Sequence, residues 1–148
     1  MPKRSYIRDK RSPTPLNETV SYTMSQIGGK NTKPELMLRK ALYAEGIRGY
    51  RIHWKKAAGK PDLAWVGKKK AVFINGCYWH RCPLCSLKLP KTNTAFWEAK
   101  FDKNIARDKK NINLLNKAGW AVLTLWECEI KRDLDNCMHR LRIFVYRS

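Results

Sequence analysis

Within nine residues the chain places Cys77, His80, Cys82 and Cys85, and its remaining cysteines are Cys128 and Cys137. The C-x4-C-x2-C spacing gathers three thiols, and Cys128 as a fourth would complete a saturated tetrahedral site of the kind that holds structural zinc. His80 could take the place of one thiolate. Cys82-Pro83-Leu84-Cys85 read alone also fits a redox pair, and cysteines often serve as small buried hydrophobes. Three clustered thiols joined by a fourth at the end of a strand point to the metal.

A second set of residues is carboxylate-rich. Asp62 follows Gly59-Lys60-Pro61 and opens the apolar run Leu63-Ala64-Trp65-Val66. A carboxylate beside a main-chain carbonyl, such as that of Ile74, makes an oxygen-rich environment suited to Mg²⁺, which keeps waters and accepts phosphate oxygens. Asp108 falls three residues after Ile105 on the apolar stripe of a helix, so its carboxylate is directed inward. Glu35 has two readings. It is the N3 residue of a Thr32-Lys33-Pro34-Glu35 capping box, and it also shares a helix face with Leu38 and Leu42.

The elements that must position these groups follow from periodicity. Thr32 to Glu35 opens a helix through about Glu45, stopped by Gly46. Tyr50 to Trp54 reads as a short strand. Leu63 to Val66 and Ala71 to Ile74, joined by Gly67-Lys68-Lys69-Lys70, form a hairpin that sets Asp62 opposite Phe73 and Ile74 and returns the cysteines to its side. After the loop Leu89 to Asn93, a long helix covers about Thr94 to Lys117, with Trp97, Phe101, Ile105, Ile112 and Leu115 as its apolar stripe. Trp120 to Trp126 is a strand delivering Glu127-Cys128, and Ile130 to Tyr146 is a closing helix carrying Cys137. The order helix, strands, helix, strand, helix predicts an α/β domain of two or three layers around a mixed sheet.

Composition bounds the function. The chain has 148 residues, 43% of them hydrophobic, enough for one domain with its own core over residues 32–148. Its 31 basic residues against 12 acidic ones leave a net charge of +19, and a surface of that sign binds phosphate polyanions. Residues 1–31, rich in basic, Ser/Thr, Pro and Gly residues, read as a flexible basic arm that orders on DNA. Neither a signal peptide nor an 18-residue apolar stretch is present, which predicts a cytoplasmic protein without membrane contact and favours metal ligands over disulfides. A monomer is expected.

Taken together, Gly59-Lys60-Pro61-Asp62, Val72-Phe73-Ile74-Asn75-Gly76-Cys77-Tyr78-Trp79-His80, Pro90-Lys91-Thr92-Asn93-Thr94-Ala95-Phe96-Trp97, Asn104-Ile105-Ala106-Arg107-Asp108 and Gly119 to Cys128 resemble the very short patch repair (Vsr) mismatch endonucleases. The resemblance spans about residues 20 to 130 in consistent order. It implies a restriction-endonuclease-like core with helices about a mixed central sheet, in a bacterial, nucleoid-associated enzyme. The implied activity is a nick 5′ to the T of a T·G mismatch in double-stranded DNA, the product of 5-methylcytosine deamination.

Matched position by position, the resemblance makes Asp62 a ligand of Mg²⁺, two ions in all, aided by the Ile74 carbonyl. His80 becomes the general base, oriented by Asp108, and Glu35 supports the water and metal network. Cys77, Cys82, Cys85 and Cys128 hold zinc. Met24, Tyr78 and Trp79 wedge into the base stack, and Lys91 and Asn93 contact DNA. Many restriction-type nucleases carry an acid-x-Lys after their PD. Here Ile74-Asn75-Gly76 stands instead, which matches the histidine-dependent Vsr subgroup. Some relatives carry His where this chain has Asn75, and His within the zinc cluster where it has Cys82.

Two adjacent aromatics, Tyr78 and Trp79, in a loop bounded by Gly and Cys cannot both face inward. At least one is expected at the surface. Unstacking a wobble pair costs less than unstacking a matched one, which is roughly a few kcal/mol per step, so such a wedge would favour mismatches.

Overall fold

The computed structural model describes residues 32–85 and 87–147; the basic arm, including Met24, lies outside the described residues. Helix α1 (Lys33–Ala44) begins with Pro34 in its first turn, where the ring cannot remove a needed hydrogen bond. Gly46 at φ 74° ends it, because the left-handed turn lets the Ile47 N–H donate to the Leu42 carbonyl at 3.0 Å. The expected capping box does not form. Thr32 makes no side-chain cap bond, and its hydroxyl donates instead to Glu35 Oε1 at 3.3 Å. Glu35 turns inward to 4% exposure, the second of its two readings, because a histidine partner waits there.

Four strands follow: β1 (Arg51–Ile52), β2 (Leu63–Trp65), β3 (Lys70–Asn75) and β4 (Ala121–Trp126), in the spatial order β1-β2-β3-β4. The first three pair antiparallel and β4 joins β3 in parallel, giving the mixed sheet. β1 is shorter than the run Tyr50 to Trp54, because His53 at φ 47° bends the chain out of extended geometry. The hairpin register is Leu63 opposite Val72, which sets Asp62 beside Phe73 as expected. Its turn is a single 3-10 helix, Val66–Lys68, closed by Lys69 at φ 52°, so Val66 belongs to the turn and not to the strand.

A one-turn helix α2 (Cys77–His80) leaves the end of β3, and α3 (Thr94–Lys117) crosses back to feed β4. Of its stripe, Trp97, Phe101 and Leu115 are buried while Ile105 and Ile112 are only half-buried. The single closing helix expected from Ile130 to Tyr146 is two helices, α4 (Glu127–Arg132) and α5 (Leu134–Tyr146). Asp133 breaks them. At φ −149° its carboxylate accepts the Asn136 N–H at 3.1 Å, so it caps α5 rather than continuing α4.

The main core joins Leu38 and Leu42 of α1, Leu63, Val72, Ile74 and Leu125 of the sheet, Ile130 of α4, and Met138, Leu141 and Val145 of α5. Alternation along β3 then turns Phe73 to the opposite face, where it meets α3 beside Gly59. A side chain at Gly59, which has φ 77°, would strike Asn111 at 3.0 Å and Phe73 at 3.1 Å. The bend before Pro61-Asp62 therefore requires glycine twice over, by dihedral and by contact. Among the described residues no helix is long and apolar enough to cross a membrane.

Candidate active site and cysteine cluster

The ends of β2 and β3, the start of α1, the α2 turn and the middle of α3 converge on one cavity of about 770 Å³. Glu35, Asp62, Ile74, Tyr78, Trp79, His80 and Asp108 all line it, as do the basic Lys60 and Arg107. Asp62 is fixed by the Ile74 N–H, which donates to its Oδ2 at 2.7 Å. Burial pushes the Asp62 carboxyl up to about 6; the Ile74 bond opposes this, Glu35 adds to it, and His53 and His80 lower it. A buried carboxylate held this way is an incomplete charge arrangement that a cation would complement.

His53 is the residue that sequence reasoning missed. The bend at the end of β1 lets its N–H donate to the Asp62 carbonyl at 3.1 Å, so the two residues sit across from each other beyond the last strand pair. Its Nε2 lies 3.0 Å from Glu35 Oε2. One ligand atom each from Glu35, His53 and Asp62 lies within 4.8 Å of the others. Two carboxylates, one of them buried, and an imidazole brought together fit a divalent cation. The signal was present in the sequence as a histidine nine residues before Asp62, at the far side of a tight return.

His80 stands at the last residue of α2, where Arg81 at φ 53° stops the helix after one turn. Its Nδ1 is 2.6 Å from Asp108 Oδ2. That bond assigns the proton to Nδ1 and leaves Nε2 as the basic nitrogen. Helix α3 supports the turn at a second point, since Asn104 donates to the Trp79 carbonyl at 3.1 Å. His80 thus belongs with Asp108, not with the thiols.

The four cysteines gather behind this turn, with all four sulfur atoms within 4.8 Å of one another. Cys82 Sγ and Cys128 Sγ are 3.7 Å apart. Zinc–thiolate bonds of about 2.3 Å in a tetrahedron require sulfur–sulfur edges of about 3.8 Å, so the spacing fits. Backbone N–H groups of Cys128 and Leu84 point at Cys77 Sγ and Cys82 Sγ, each at 3.4 Å, as partners of thiolates do. Burial pushes the Cys77 and Cys128 thiols up, whereas Cys82, despite its own burial, is held low by the Leu84 N–H and neighbouring thiols. Such a cluster could hold zinc, and loading it would release protons.

The aromatic pair divides as its sequence requires. Tyr78 is 37% exposed, and Trp79 is half-buried against Trp97 and Phe101, with ring centroids at 5.9 and 6.3 Å. Tyr78 also meets Trp79 edge-on at 5.0 Å. Lys91 and Asn93 are exposed just before α3, Asn93 at φ 55°.

Known proteins resemble this chain in sequence and in fold. Residues 16–84 match the sequence profile of a family described as DNA mismatch endonuclease Vsr. The type II nicking enzyme V.NmeAIP of Neisseria meningitidis serogroup A is 42% identical over 125 residues, covering 84% of this chain and 88% of that protein. The type II nicking enzyme V.XorIIP of Xanthomonas oryzae pv. oryzae is 36% identical over 134 residues, 90% of this chain and 94% of the relative. DNA mismatch endonuclease Vsr of Escherichia coli is 34% identical over 113 residues, covering 76% and 72%. Among solved structures, the catalytic domain of the homing endonuclease I-Bth0305I superposes with a TM-score of 0.53 at 24% identity, over 77% of this chain and 94% of that one, a likeness of fold. The chain is a DNA endonuclease and belongs to the Vsr family.

Proposed function

We propose that the protein is a Mg²⁺-dependent, strand-specific endonuclease that nicks 5′ to the T of a T·G mismatch, acting as a monomer on the DNA of the bacterial cytoplasm. The observation that supports it is the His80–Asp108 pair, 2.6 Å apart, lining the same cavity as the half-buried Asp62. Asp62 and the Ile74 carbonyl would hold Mg²⁺, with two ions sharing the Asp62 carboxylate, and Glu35 would order the surrounding water. When bound, the metal supplies charge stabilisation to the phosphoryl group and the leaving oxygen. His80 Nε2 accepts a proton from the attacking water, and Asp108 holds the ring in the tautomer that can do so. Cys77, Cys82, Cys85 and Cys128 hold structural zinc, which anchors the turn that carries His80.

Recognition is assigned to the aromatic edge of the cavity. Tyr78 and Trp79, with Met24, enter the stack beside the weakly stacked wobble pair, while Lys91 and Asn93 meet the backbone. Duplexes labelled on each strand in turn, matched or carrying T·G, test the proposal with and without Mg²⁺. A nick confined to the T-bearing strand of the mismatched duplex is expected. Cutting of both strands, or equal cutting of matched DNA, would refute it.

Two substitutions sharpen the assignment. His80→Ala is expected to lower the nicking rate by about 10²-fold with zinc content and DNA affinity unchanged. Trp79→Ala is expected to weaken T·G binding by about 1–3 kcal/mol, the range for loss of base stacking, and to leave matched binding nearly constant. Equal loss on both duplexes, together with a fall in melting temperature, would assign Trp79 to packing with Trp97 and Phe101 alone.

A further inference from the structure

We infer that His53, grouped with Glu35 and Asp62, is a third protein ligand of the divalent cation that Asp62 holds, making it a mixed nitrogen and oxygen site that takes first-row transition ions such as Mn²⁺ more tightly than Mg²⁺. The inference rests on the reading of Asp62 as a metal ligand and adds to it a residue and an ion preference.

Three independent constraints converge on His53. Its backbone is tied to Asp62 by the N–H to carbonyl bond at 3.1 Å, and its ring is held by Glu35. The ring is only 17% exposed and its partner Glu35 only 5%, so the pair is shielded from the solvent that would otherwise compete. The His53–Glu35 separation is that of neighbouring ligands on one ion. Cis ligands of an octahedral ion at about 2.1 Å lie about 3 Å apart, and trans ligands about 4.2 Å. His53 Nε2 and Glu35 Oε2 are 3.0 Å apart, and all three donors lie within 4.8 Å.

The Glu35 and Asp62 carboxylates, with one oxygen of each within 4.8 Å of the other, repel each other. An ion at their centre removes that repulsion. The imidazole proton then resides on Nδ1, and Nε2 offers its lone pair. Imidazole is a poor ligand for Mg²⁺, which selects oxygen, and a good one for transition ions. The nitrogen therefore sets the preference.

The test is electron spin echo spectroscopy of the untagged, zinc-loaded, full-length protein with Mn²⁺ alone. Modulation from an imidazole ¹⁴N is expected, abolished in His53→Gln and kept in His80→Asn. The chain has only three histidines, so modulation that survives in a His80→Asn, His139→Gln variant identifies His53 even if His53→Gln fails to fold. Mn²⁺ affinity should fall at least 10- to 100-fold in His53→Gln, the loss seen when a mere partner of a ligand is removed, with Mg²⁺ affinity changing less. Mn²⁺ bound without nitrogen modulation overturns the inference while leaving Asp62 as a ligand. No Mn²⁺ uptake at millimolar concentration also overturns it, because a preassembled pocket needs no DNA to fill. Nicking that depends on Asp62 would still separate that outcome from failure of the proposed function.

Discussion

Asp62→Asn is expected to reduce nicking by about 10³-fold or more, since several kcal/mol of transition-state charge stabilisation goes with the metal it would hold. The same change is expected to raise the melting temperature in metal-free buffer at neutral pH. The carboxyl is pushed up to about 6 in the fold, chiefly by burial, from an ordinary value near 4. A group shifted this way contributes its full stability below about pH 4 and loses it as pH rises through about 6. Above that pH the ionised Asp62 opposes folding, and asparagine, which can still accept the Ile74 N–H, removes the opposition. Activity and stability should therefore move in opposite directions. A variant that nicks normally, or that melts lower in metal-free buffer above pH 6, would contradict the assignment.

The second large effect concerns the cysteines. One zinc per chain is expected, and Cys128→Ser or a strong chelator should release it. Structural zinc sites contribute roughly 10–16 kcal/mol of apparent binding free energy in small peptides at neutral pH. Here the sheet and helices α1 and α5 retain their own apolar core, so global unfolding at room temperature is not expected. The melting temperature should drop by about 10 °C or more, several kcal/mol at this chain length. Nicking should fall with it, because Cys77 and Cys82 flank the turn that presents His80. A zinc-free protein with unchanged melting and unchanged nicking would exclude a structural role for the cluster.

How much of this was legible in the sequence depends on the range of the interaction. Helix α3 matches its predicted bounds because a 24-residue amphipathic pattern is strongly over-determined by period. The hairpin register, and with it the Asp62 contact to Ile74, follows from a short turn between two apolar runs. Cys77, Cys82 and Cys85 could be grouped by spacing, and Cys128 joined to them by its place at a strand end.

What failed to show were choices between local and tertiary partners. Glu35 had a local role available in the cap, yet the half-buried His53 outcompetes it. His53 itself lies at a bend with positive φ, in a run that reads as strand, and nothing in the periodicity distinguishes it from its neighbours. The break at Asp133 was visible in principle, as an N-cap residue followed by Leu134-Asp135-Asn136. It was overridden by the continuous apolar spacing on either side.

The parallel pairing of β3 with β4 across α3 carries a consequence for the timing of synthesis. Asp62 and His80 leave the ribosome early, but His80 acquires its orientation from Asp108 and its anchorage from a cluster whose last member, Cys128, follows β4. Pairings between distant segments form late in folding. A nascent or truncated chain that stops at Lys117 would carry Asp62, His80 and Asp108 but lack β4, Cys128 and the cavity's Glu127. Cleavage by the proposed site therefore waits until the chain has been made past Cys128.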